Sequence, residues 1–468
     1  MQDTRNRPDH KHPDYQEMEP ILALLQDVYR NLYGRKEIYL PRAEQEPDRA
    51  YRERVNRAVF SNRVRPAIES NAGLLTAFEL SDLPPSLDEA EYDVDGKGST
   101  IKAFLQAADI AALRDRHCFI LVDSPPDGER TAADRLISPI RPRMHLIDRR
   151  DVLNWRTVYA GGVEVLEQVT IRMCEQVAVG SFGMKREPRY HVFALVEGGV
   201  QHEVLEIRED GVAVLESSVA NLPQIPLLCY PYNNSPFGTD LPPFLKASEL
   251  NIKLFRKEST LDEIEYRVNC PTVWRKSSEA LSDRGPVIFG STWVIELFEG
   301  DDVGVLEIAG ASIDKLQASI EELKRDLDRE TGAFLTSGST VARTATEAAL
   351  AAMSLSSTLS GYARAKASAI NKLISLWCLF TGEENDAEIQ QDQSVLEVPL
   401  DAQEMQALLA LFNAGVLSHE TLLKLLRMGR QLPPSFDVES ELERLAVERG
   451  REIQGPALGD TTLDNGES

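Results

Sequence analysis

Residues 310–332, GASIDKLQASIEELKRDLDRETG, form the stretch that decides the fold. Ile313, Leu316, Ile320, Leu323 and Leu327 recur at alternating spacings of three and four, which predicts one apolar seam on an α-helix. Charged residues occupy most of the positions between them, so the remaining faces of this helix are ionic. A narrow seam of this kind favours a helix that packs sideways against copies of itself while another face meets water.

A short break and a long helix follow the seam. Residues 332–340, GAFLTSGST, are too rich in glycine to stay helical. The helix resumes at TATE, residues 344–347, where Thr344 and Glu347 have the spacing of a capping box. No proline interrupts the chain from there to Phe380. Two consecutive helices are common in α-rich proteins, so the functional weight of this pair depends on its neighbours in the chain.

Composition and charge narrow the class of protein. The 468 residues are enough for two to four domains, and 42% of them are apolar. No transmembrane helix or signal peptide is predicted. The five scattered cysteines include no C-x-x-C pair, which indicates buried thiols in a reducing compartment and no zinc site. The net charge of −24 argues against a simple DNA-binding module, although it is equally what solubility alone would favour.

The first 243 residues predict an α/β body. Helices are expected over 14–32, from residue 48 towards 78 with a kink or break at Pro66, and over 101–114. Strands are expected over 117–123, 143–147, 163–173, 190–197, 202–207 and 211–216, with a spacing typical of meanders and hairpins. The arginines of 49–65 alternate with acidic residues, which favours an ionic face over a nucleic-acid stripe. Residues 221–243 are rich in proline and asparagine and predict an ordered linker.

The sequence offers little that points to catalysis. It contains no Ser-His-Asp order, no G-x-S-x-G and no H-E-x-x-H, so we predict no enzyme, no catalytic residue, no metal and no cofactor. Residues 96–100, GKGST, are similar to a phosphate loop but lack its G-x-x-x-x-G-K-[ST] spacing. A turn that caps the helix starting at Ile101 is favoured. His117 and His145 could meet in space, but a paired core or surface histidine is the default interpretation.

Two charged helices flank a small β-rich insert. Helix 244–266 comes before the insert, which spans residues 271–308 and predicts strands at 272–275, 286–290, 293–298 and 303–308. Roughly forty residues cannot bury a sizeable core alone, so we expect the insert to complete itself against neighbouring chains. Packing on its own α/β body is the alternative. Beyond the long helix, we expect a strand at 395–399, helices at 402–413, 418–428 and 437–453, and a disordered tail.

Six stretches, in this order, resemble the portal proteins of tailed bacteriophages, in a branch long filed as an uncharacterised phage domain. They are residues 51–60 (YRERVNRAVF), 93–98 (DVDGKG), 117–123 (HCFILVD), 151–156 (DVLNWR), 247–252 (ASELNI) and 343–348 (RTATEA). The order of elements is similar over nearly the whole chain. The resemblance implies an α+β fold with an N-terminal arm and α/β wing (1–243), a first stem helix (244–269), a clip (270–309), a second stem helix (310–331), a tunnel loop (332–343), a long wing helix (344–382), a C-terminal wing or crown (383–453) and a disordered tail (454–468).

The resemblance also implies a function. Portal proteins form a ring, usually of twelve copies, at one capsid vertex, through which DNA is packaged and later ejected. The implied partners are further copies of the chain, double-stranded DNA held without sequence specificity, the terminase large subunit, a head-tail adaptor and the major capsid protein, with no membrane. The implied location is the virion, assembled in the host cytoplasm. The alternatives are another virion assembly protein, such as an adaptor or scaffold, or a nucleotide-binding enzyme built on residues 96–100.

The charge of the second stem helix agrees with a channel that carries DNA without holding it. Duplex DNA has one negative charge per about 1.7 Å, so a strongly basic lining would bind it. Twelve copies would carry about 12 × −24 = −288 formal charges. We predict a repulsive lining formed by Asp314, Glu321, Asp328 and Glu330. We expect three cations to pair with neighbours or to touch phosphates transiently: Lys324, Arg325 and Arg329.

Two further sets of residues follow from the family analogy. The tunnel loop is expected to form a flexible constriction and contains Phe334, Leu335, Thr336, Ser337, Gly338, Ser339 and Thr340. Contacts of the clip with other copies, the adaptor and the terminase are expected at Trp274, Phe289, Trp293 and Phe298.

Overall fold

The computed structural model of this chain describes residues 6–124, 141–209, 211–231, 237–269, 272–276, 302–306, 310–331, 345–391, 402–413 and 417–428, with a few positions between 436 and 444. Its helices and strands form an α+β fold, as predicted. The helices are α1 (Pro13–Tyr29), α2 (Lys36–Tyr39), α3 (Asp48–Arg57), α4 (Val64–Leu74), α5 (Pro85–Glu89), α6 (Ile101–Asp115), α7 (Leu245–Asn269), α8 (Gly310–Thr331), α9 (Ala345–Thr381), α10 (Ala402–Asn413) and α11 (His419–Met428). The strands are β1 (Phe78–Ser81), β2 (Cys118–Asp123), β3 (Arg143–Ile147), β4 (Val152–Ala160), β5 (Val163–Val179), β6 (Gly183–Val196), β7 (Gly199–Arg208), β8 (Gly211–Ala220), β9 (Leu227–Tyr230), β10 (Thr272–Lys276), β11 (Asp302–Leu306) and β12 (Glu388–Gln391).

The three-stranded antiparallel sheet β3-β2-β9 separates two hydrophobic cores. Successive side chains of a strand point to opposite faces, and β2 is apolar on both. Cys118, Ile120 and Val122 face the larger core, which contains the helices. Phe119 and Leu121 face the smaller core against the second sheet. β2 is therefore buried on both sides, as its continuous apolar run indicates.

Strand β9 corrects the prediction that residues 221–243 form a linker throughout. Leu228 and Tyr230 of this strand are 2% and 0% exposed, and they join the larger core. Cys229 faces the smaller core. The flanking prolines concealed a strand of four residues, which is too short to show a period but gains its stability from burial on both faces.

The second sheet is a five-stranded antiparallel meander in the order β4-β5-β6-β7-β8. This topology confirms the prediction that the strands form hairpins rather than βαβ units. β5 and β6 are longer than predicted, with 17 and 14 residues. β4 pairs with β5 only up to Ile171, and β7 pairs with β6 only from Tyr190. Residues 173–189 therefore form a two-stranded projection, which we call the ribbon.

The helix predicted from residue 48 towards 78 is two helices and a strand. α3 ends at Arg57, and α4 begins at Val64. Asn62 Oδ1 accepts the backbone N–H groups of Val64 and Arg65, both at 3.0 Å, and so satisfies the start of α4. Pro66 falls in the first turn, where a missing N–H costs little. The break thus lies before Pro66, and the chain then enters β1, which pairs with β12.

The two long charged helices α7 and α8 run antiparallel. Lys246 at the start of α7 pairs with Glu330 at the end of α8, and Lys257 donates to Ser319 further along. At their far end the chain continues into β10 and β11, which pair antiparallel. We call the unit of α7, β10, β11 and α8 the stem hairpin.

The apolar seam of α8 packs within its own chain. Ile320, Leu323 and Leu327 are buried in the same core as Leu254 and Phe255 of α7. The expectation that this seam packs against copies of the chain is therefore wrong for the second half of α8. α7 carries a matching row of buried residues, so the apolar surfaces of the two helices cover each other within one chain.

Several predictions elsewhere have a clear outcome. Ser418 Oγ accepts the N–H of Thr421 at 3.1 Å and caps α11, as predicted. Among the described cysteines, Cys118, Cys229 and Cys378 are buried free thiols, and the fourth is exposed. None of the described helices has the length and apolarity needed to cross a bilayer. The strands predicted at 286–290, 293–298 and 395–399, most of helix 437–453 and the tail from 454 lie outside the described residues.

Candidate functional site

The stem hairpin is fixed to the body at the start of α7 and the end of α8. Asn251 is fully buried; its Oδ1 accepts the N–H of Arg63 and its Nδ2 donates to the carbonyl of Ser61, both at 3.0 Å. Arg63 in turn pairs with Asp328 at 2.9 Å. One buried amide and one ion pair thus hold both stem helices to the segment between α3 and α4.

Burial falls off along the stem away from the body. In α7 the buried residues extend from Ala247 to Ser259, and none of residues 260–266 is buried. In α8 they extend from Ile320 to Thr331, and none of residues 313–319 is buried. Ile313 and Leu316, the first two members of the seam, are half-buried. The far half of the stem therefore keeps apolar surface that the described part of the chain covers only partly.

Most of the predicted lining residues are exposed on α8. Five have exposed side chains: Asp314, Glu321, Arg325, Arg329 and Glu330. The other two, Lys324 and Asp328, are half-buried. All seven lie on the helix predicted to line the channel, and their assignment to the channel wall stays a prediction.

Ion pairs within the chain use several of these charges. Besides the Asp328 and Glu330 pairs described above, Lys324 lies 3.0 Å from Glu321 and 3.7 Å from Glu258 of α7. Such pairs at a partly exposed surface contribute about 0.2–1 kcal/mol each, so their main effect is to set the position of the stem. Asp314, near the start of α8, forms no ion pair with a described residue.

Most of the other predicted contact residues lie outside the part of the chain that the structure describes. The tunnel-loop residues Phe334–Thr340 lie outside the described residues, as do Phe289, Trp293 and Phe298. Trp274 belongs to β10, where its backbone pairs with Gly304 of β11. The clip and tunnel-loop assignments stay predictions.

The long helix α9 is anchored by a buried ion pair that the sequence analysis did not identify. Lys366 Nζ lies 2.6 Å from Asp109 Oδ2 of α6, and both side chains are 0% exposed. Lys366 also donates to the carbonyl of Leu75 at 2.7 Å. Asp109 Oδ1 accepts from the hydroxyls of Tyr230, at 2.6 Å, and Tyr362, at 3.1 Å. We call these four side chains the buried network; it joins α9 to α6 and β9.

Burial disfavours the charged form of both Asp109 and Lys366. It raises the pKa of Asp109, while Lys366 and the two tyrosine hydroxyls act in the opposite direction. It lowers the pKa of Lys366, against the attraction of Asp109. Each charge therefore depends on the other to remain in the core. A signal was present in the sequence, because both charges lie in alanine-rich stretches: Asp109 is the single charge of AADIAA at 107–112, and Lys366 shares ARAKASA at 363–369 with one other charge, Arg364.

The turn at residues 93–100 has its donors already occupied. Asp95 Oδ1 accepts the N–H of Lys97 at 2.9 Å and that of Ser99 at 3.2 Å, and Asp93 Oδ1 accepts the N–H of Gly98 at 2.7 Å. A phosphate would need these same N–H groups and would meet two carboxylates. Thr100 Oγ1 accepts the N–H of Ala103 at 3.2 Å and caps α6, as predicted. The turn is thus a capping structure, which argues against the nucleotide-binding alternative.

The arginines of α3 and α4 are largely paired within the chain. Arg54 pairs with Glu46 at 2.9 Å, and Arg57 pairs with Glu263 of α7. Arg65 pairs with Glu69 at 2.8 Å. These pairs confirm an ionic face for Arg54, Arg57 and Arg65 and leave little free positive charge there for a nucleic acid.

The histidines that meet are not the pair singled out from the sequence. His191 Nδ1 and His202 Nε2 lie 3.1 Å apart on neighbouring strands β6 and β7, and Phe193 stacks on His202 at 4.2 Å. Burial, together with the neighbouring His202, lowers the pKa of His191 to about 4. This is a histidine pair of the kind that the default interpretation describes, but at half-buried positions and with different members. Among the described residues, no group of three or more His, Cys, Asp or Glu side chains has the arrangement of a metal site.

Comparison with known proteins adds a family match and two distant structural likenesses. Residues 243–381 match a family described as "Domain of unknown function (DUF4055)", and this range runs from α7 to the end of α9. No curated protein matches the sequence. One similar solved chain comes from a "Virion of native gene transfer agent (GTA) particle", with 12% identity, 79% of this chain and 89% of that chain covered, and a TM-score of 0.39. Another comes from a "Neck of empty GTA particle computed with C6 symmetry", with 14% identity, 80% and 90% covered, and a TM-score of 0.41. Likenesses at this level carry no functional argument.

Proposed function

We propose that this protein is the portal protein of a tailed bacteriophage. Its copies form a ring, of twelve in the usual case, at one vertex of the capsid. Double-stranded DNA passes through the central channel during packaging and ejection, without sequence-specific contact. The ring is also the platform for the terminase large subunit and the head-tail adaptor, and it sits among copies of the major capsid protein.

The observation that carries this proposal is the stem hairpin. Two antiparallel ionic helices of 25 and 22 residues, about 35 Å long at 1.5 Å per residue, share a buried seam near the body and lose burial away from it. Half-buried apolar residues such as Leu316 remain on the far half. Such a unit can form one segment of a tubular wall, because identical neighbours can cover that surface and leave the charged faces for the channel.

The electrostatics of the chain support passage of DNA rather than binding. The chain carries −24 formal charges, and Arg54, Arg57 and Arg63 pair with acidic residues of the same chain. DNA affinity rises with the number of phosphates that cations neutralise, so a wall of balanced or negative charge leaves the duplex free to move.

We propose no catalytic activity for this chain. The N–H groups of Lys97, Gly98 and Ser99 are bonded to Asp93 and Asp95, which supports this proposal. The energy for packaging is proposed to come from the terminase partner. The proposed location is the virion, with assembly in the host cytoplasm and no membrane association.

Electron microscopy of the purified protein tests the oligomeric part of the proposal. We expect end-on class averages that show a ring with a central hole in negative stain. A strictly monomeric species at micromolar concentration contradicts the proposal.

Particles assembled without this chain separate a portal from another virion protein. Loss of a portal leaves heads without DNA, since nothing admits the duplex. Loss of an adaptor leaves filled heads that lack tails. Filled, tailless heads would therefore assign the chain to the second class and refute the portal function.

A further inference from the structure

The ribbon ends in an exposed apolar tip. Val179, Phe182 and Met184 are 55%, 101% and 65% exposed and lie at its hairpin turn. Within the described chain, β5 and β6 pair only with each other at this level. A single exposed apolar residue is ordinary, but three together at the end of a projection mark an interaction surface.

The base of the ribbon is held firmly. Arg189 is only 9% exposed and contacts three carboxylates: Glu187 at 3.0 Å, Glu175 at 3.6 Å, and Glu206 of β7. This cluster fixes both strands of the ribbon to the neighbouring strand. The ribbon is therefore anchored at its base.

An apolar cleft lies at the opposite end of β5. It has a volume of about 600 Å³, in the range of cavities that hold ligands, and it is open to the surface. Its walls include Val163, Leu166, Ile225, Phe237 and Leu376. This volume is sufficient to receive an aromatic side chain with its neighbours.

The tip and the cleft also carry complementary free charges. Arg186, beside the tip, is exposed and forms no ion pair with any described residue. Glu164, on the cleft wall, is likewise exposed and forms no ion pair with a described residue. Lys372 lies on the cleft wall as well, so the attraction comes from one carboxylate rather than from a uniformly acidic rim.

We propose that the tip of one copy of this chain inserts into the cleft of the next copy around the ring. The 17 residues of β5 separate tip and cleft by about 50 Å at roughly 3.3 Å per residue, so they cannot meet within one chain. A contact between two different patches is heterologous and repeats in one direction until the ring closes. Phe182 is the anchor, Val179 and Met184 flank it, and Arg186 reaches Glu164. The inference rests on the proposed ring function.

Assembly of single variants tests the contact. Phe182→Asp and Val163→Asp change exposed residues, so both chains fold, and we expect the concentration for half-assembly to rise roughly 10- to 100-fold, as the loss of one buried apolar side chain predicts. Tyr33→Asp, at another exposed aromatic residue, is the matched control and leaves assembly unchanged. Sedimentation velocity across a concentration series measures the effect.

If the wild-type chain forms no ring, the proposed function fails. If wild type and both variants form rings equally well, only the tip-and-cleft contact is refuted.

A disulfide trap tests the same contact directly. Phe182→Cys and Val163→Cys are combined in a chain whose exposed Cys174 is replaced by serine. Because a disulfide needs Cα atoms within about 7 Å, the two new cysteines can bridge only between copies. We expect a ladder of covalent oligomers on a non-reducing gel, and none from a chain that carries only one of the two new cysteines. Rings without a ladder overturn the proposal.

Discussion

Replacement of Lys366 by methionine tests whether the buried network fixes α9. The change removes the ion pair with Asp109 and the hydrogen bond to the Leu75 carbonyl, and it leaves a carboxylate in the core. Breaking a buried ion pair in this way costs about 3–5 kcal/mol. Asp109 keeps the hydroxyl donors of Tyr230 and Tyr362, so we expect a value near the lower limit, about 3 kcal/mol.

The loss of stability in Lys366→Met should appear in α9 itself as well as in the whole chain. Native-state hydrogen exchange reports the free energy of opening for each segment, so the protection of α9 amides should fall about 100-fold. The change in the thermal midpoint measures the loss of stability of the whole chain. Lys372→Met is the matched control, since this exposed lysine lies less than two turns further along the same helix. It should change stability by less than about 0.5 kcal/mol.

A double-mutant cycle separates the ion pair from simple loss of packing. Asp109→Asn keeps an oxygen that can accept from both tyrosine hydroxyls while it removes the charge. Combined with Lys366→Met, it should recover about 1–2 kcal/mol of the single-variant loss, because no unpaired charge is left in the core. A Lys366→Met protein within 1 kcal/mol of wild type, or no less stable than Lys372→Met, would refute the reasoning.

The other predictions concern the histidine pair and the turn before α6. Burial holds the pKa of His191 at about 4 against an unfolded value near 6.5, and it also lowers the pKa of His202. The unfolded chain therefore binds more protons between these values, and wild type should lose up to about 3 kcal/mol more than His191→Gln as the pH falls from 6.5 to 4, measured by urea unfolding. Thr100→Ala should lower stability by about 1 kcal/mol, through loss of the cap, in a thermal melt. ATP and GTP should not bind the wild-type chain or Lys97→Ala in calorimetry, because the N–H groups of the turn are occupied.

Each of these predictions has its own control. His10→Gln, at a histidine outside the pair, should leave the pH dependence as in wild type, and equal slopes for wild type and His191→Gln would contradict the assignment. Thr100→Ser keeps the hydroxyl and should restore most of the stability lost in Thr100→Ala. Nucleotide binding that disappears in Lys97→Ala would revive the enzyme alternative.

Local patterns in the chain were enough to predict the elements with strong periods or clear caps. The seam from Ile313 to Leu327 predicted α8, and the apolar run of residues 117–123 predicted the central strand β2. Thr100 and Ser418 marked two helix starts correctly. Short strands were missed, because four residues such as Leu227–Tyr230 carry too little pattern to stand out from a proline-rich segment.

The sequence by itself determined the ionic helices, their apolar seam, the hairpin-rich sheet and the acidic balance, since each depends on residues close together in the chain. Only the tertiary structure decided which partner each surface meets. It placed the α8 seam on α7, paired Asp328 with Arg63, and brought Lys366 to Asp109 across 257 positions of sequence. A buried charge is stable only beside its partner, and the partner is chosen by packing between segments that are distant in sequence, which local periodicity does not encode.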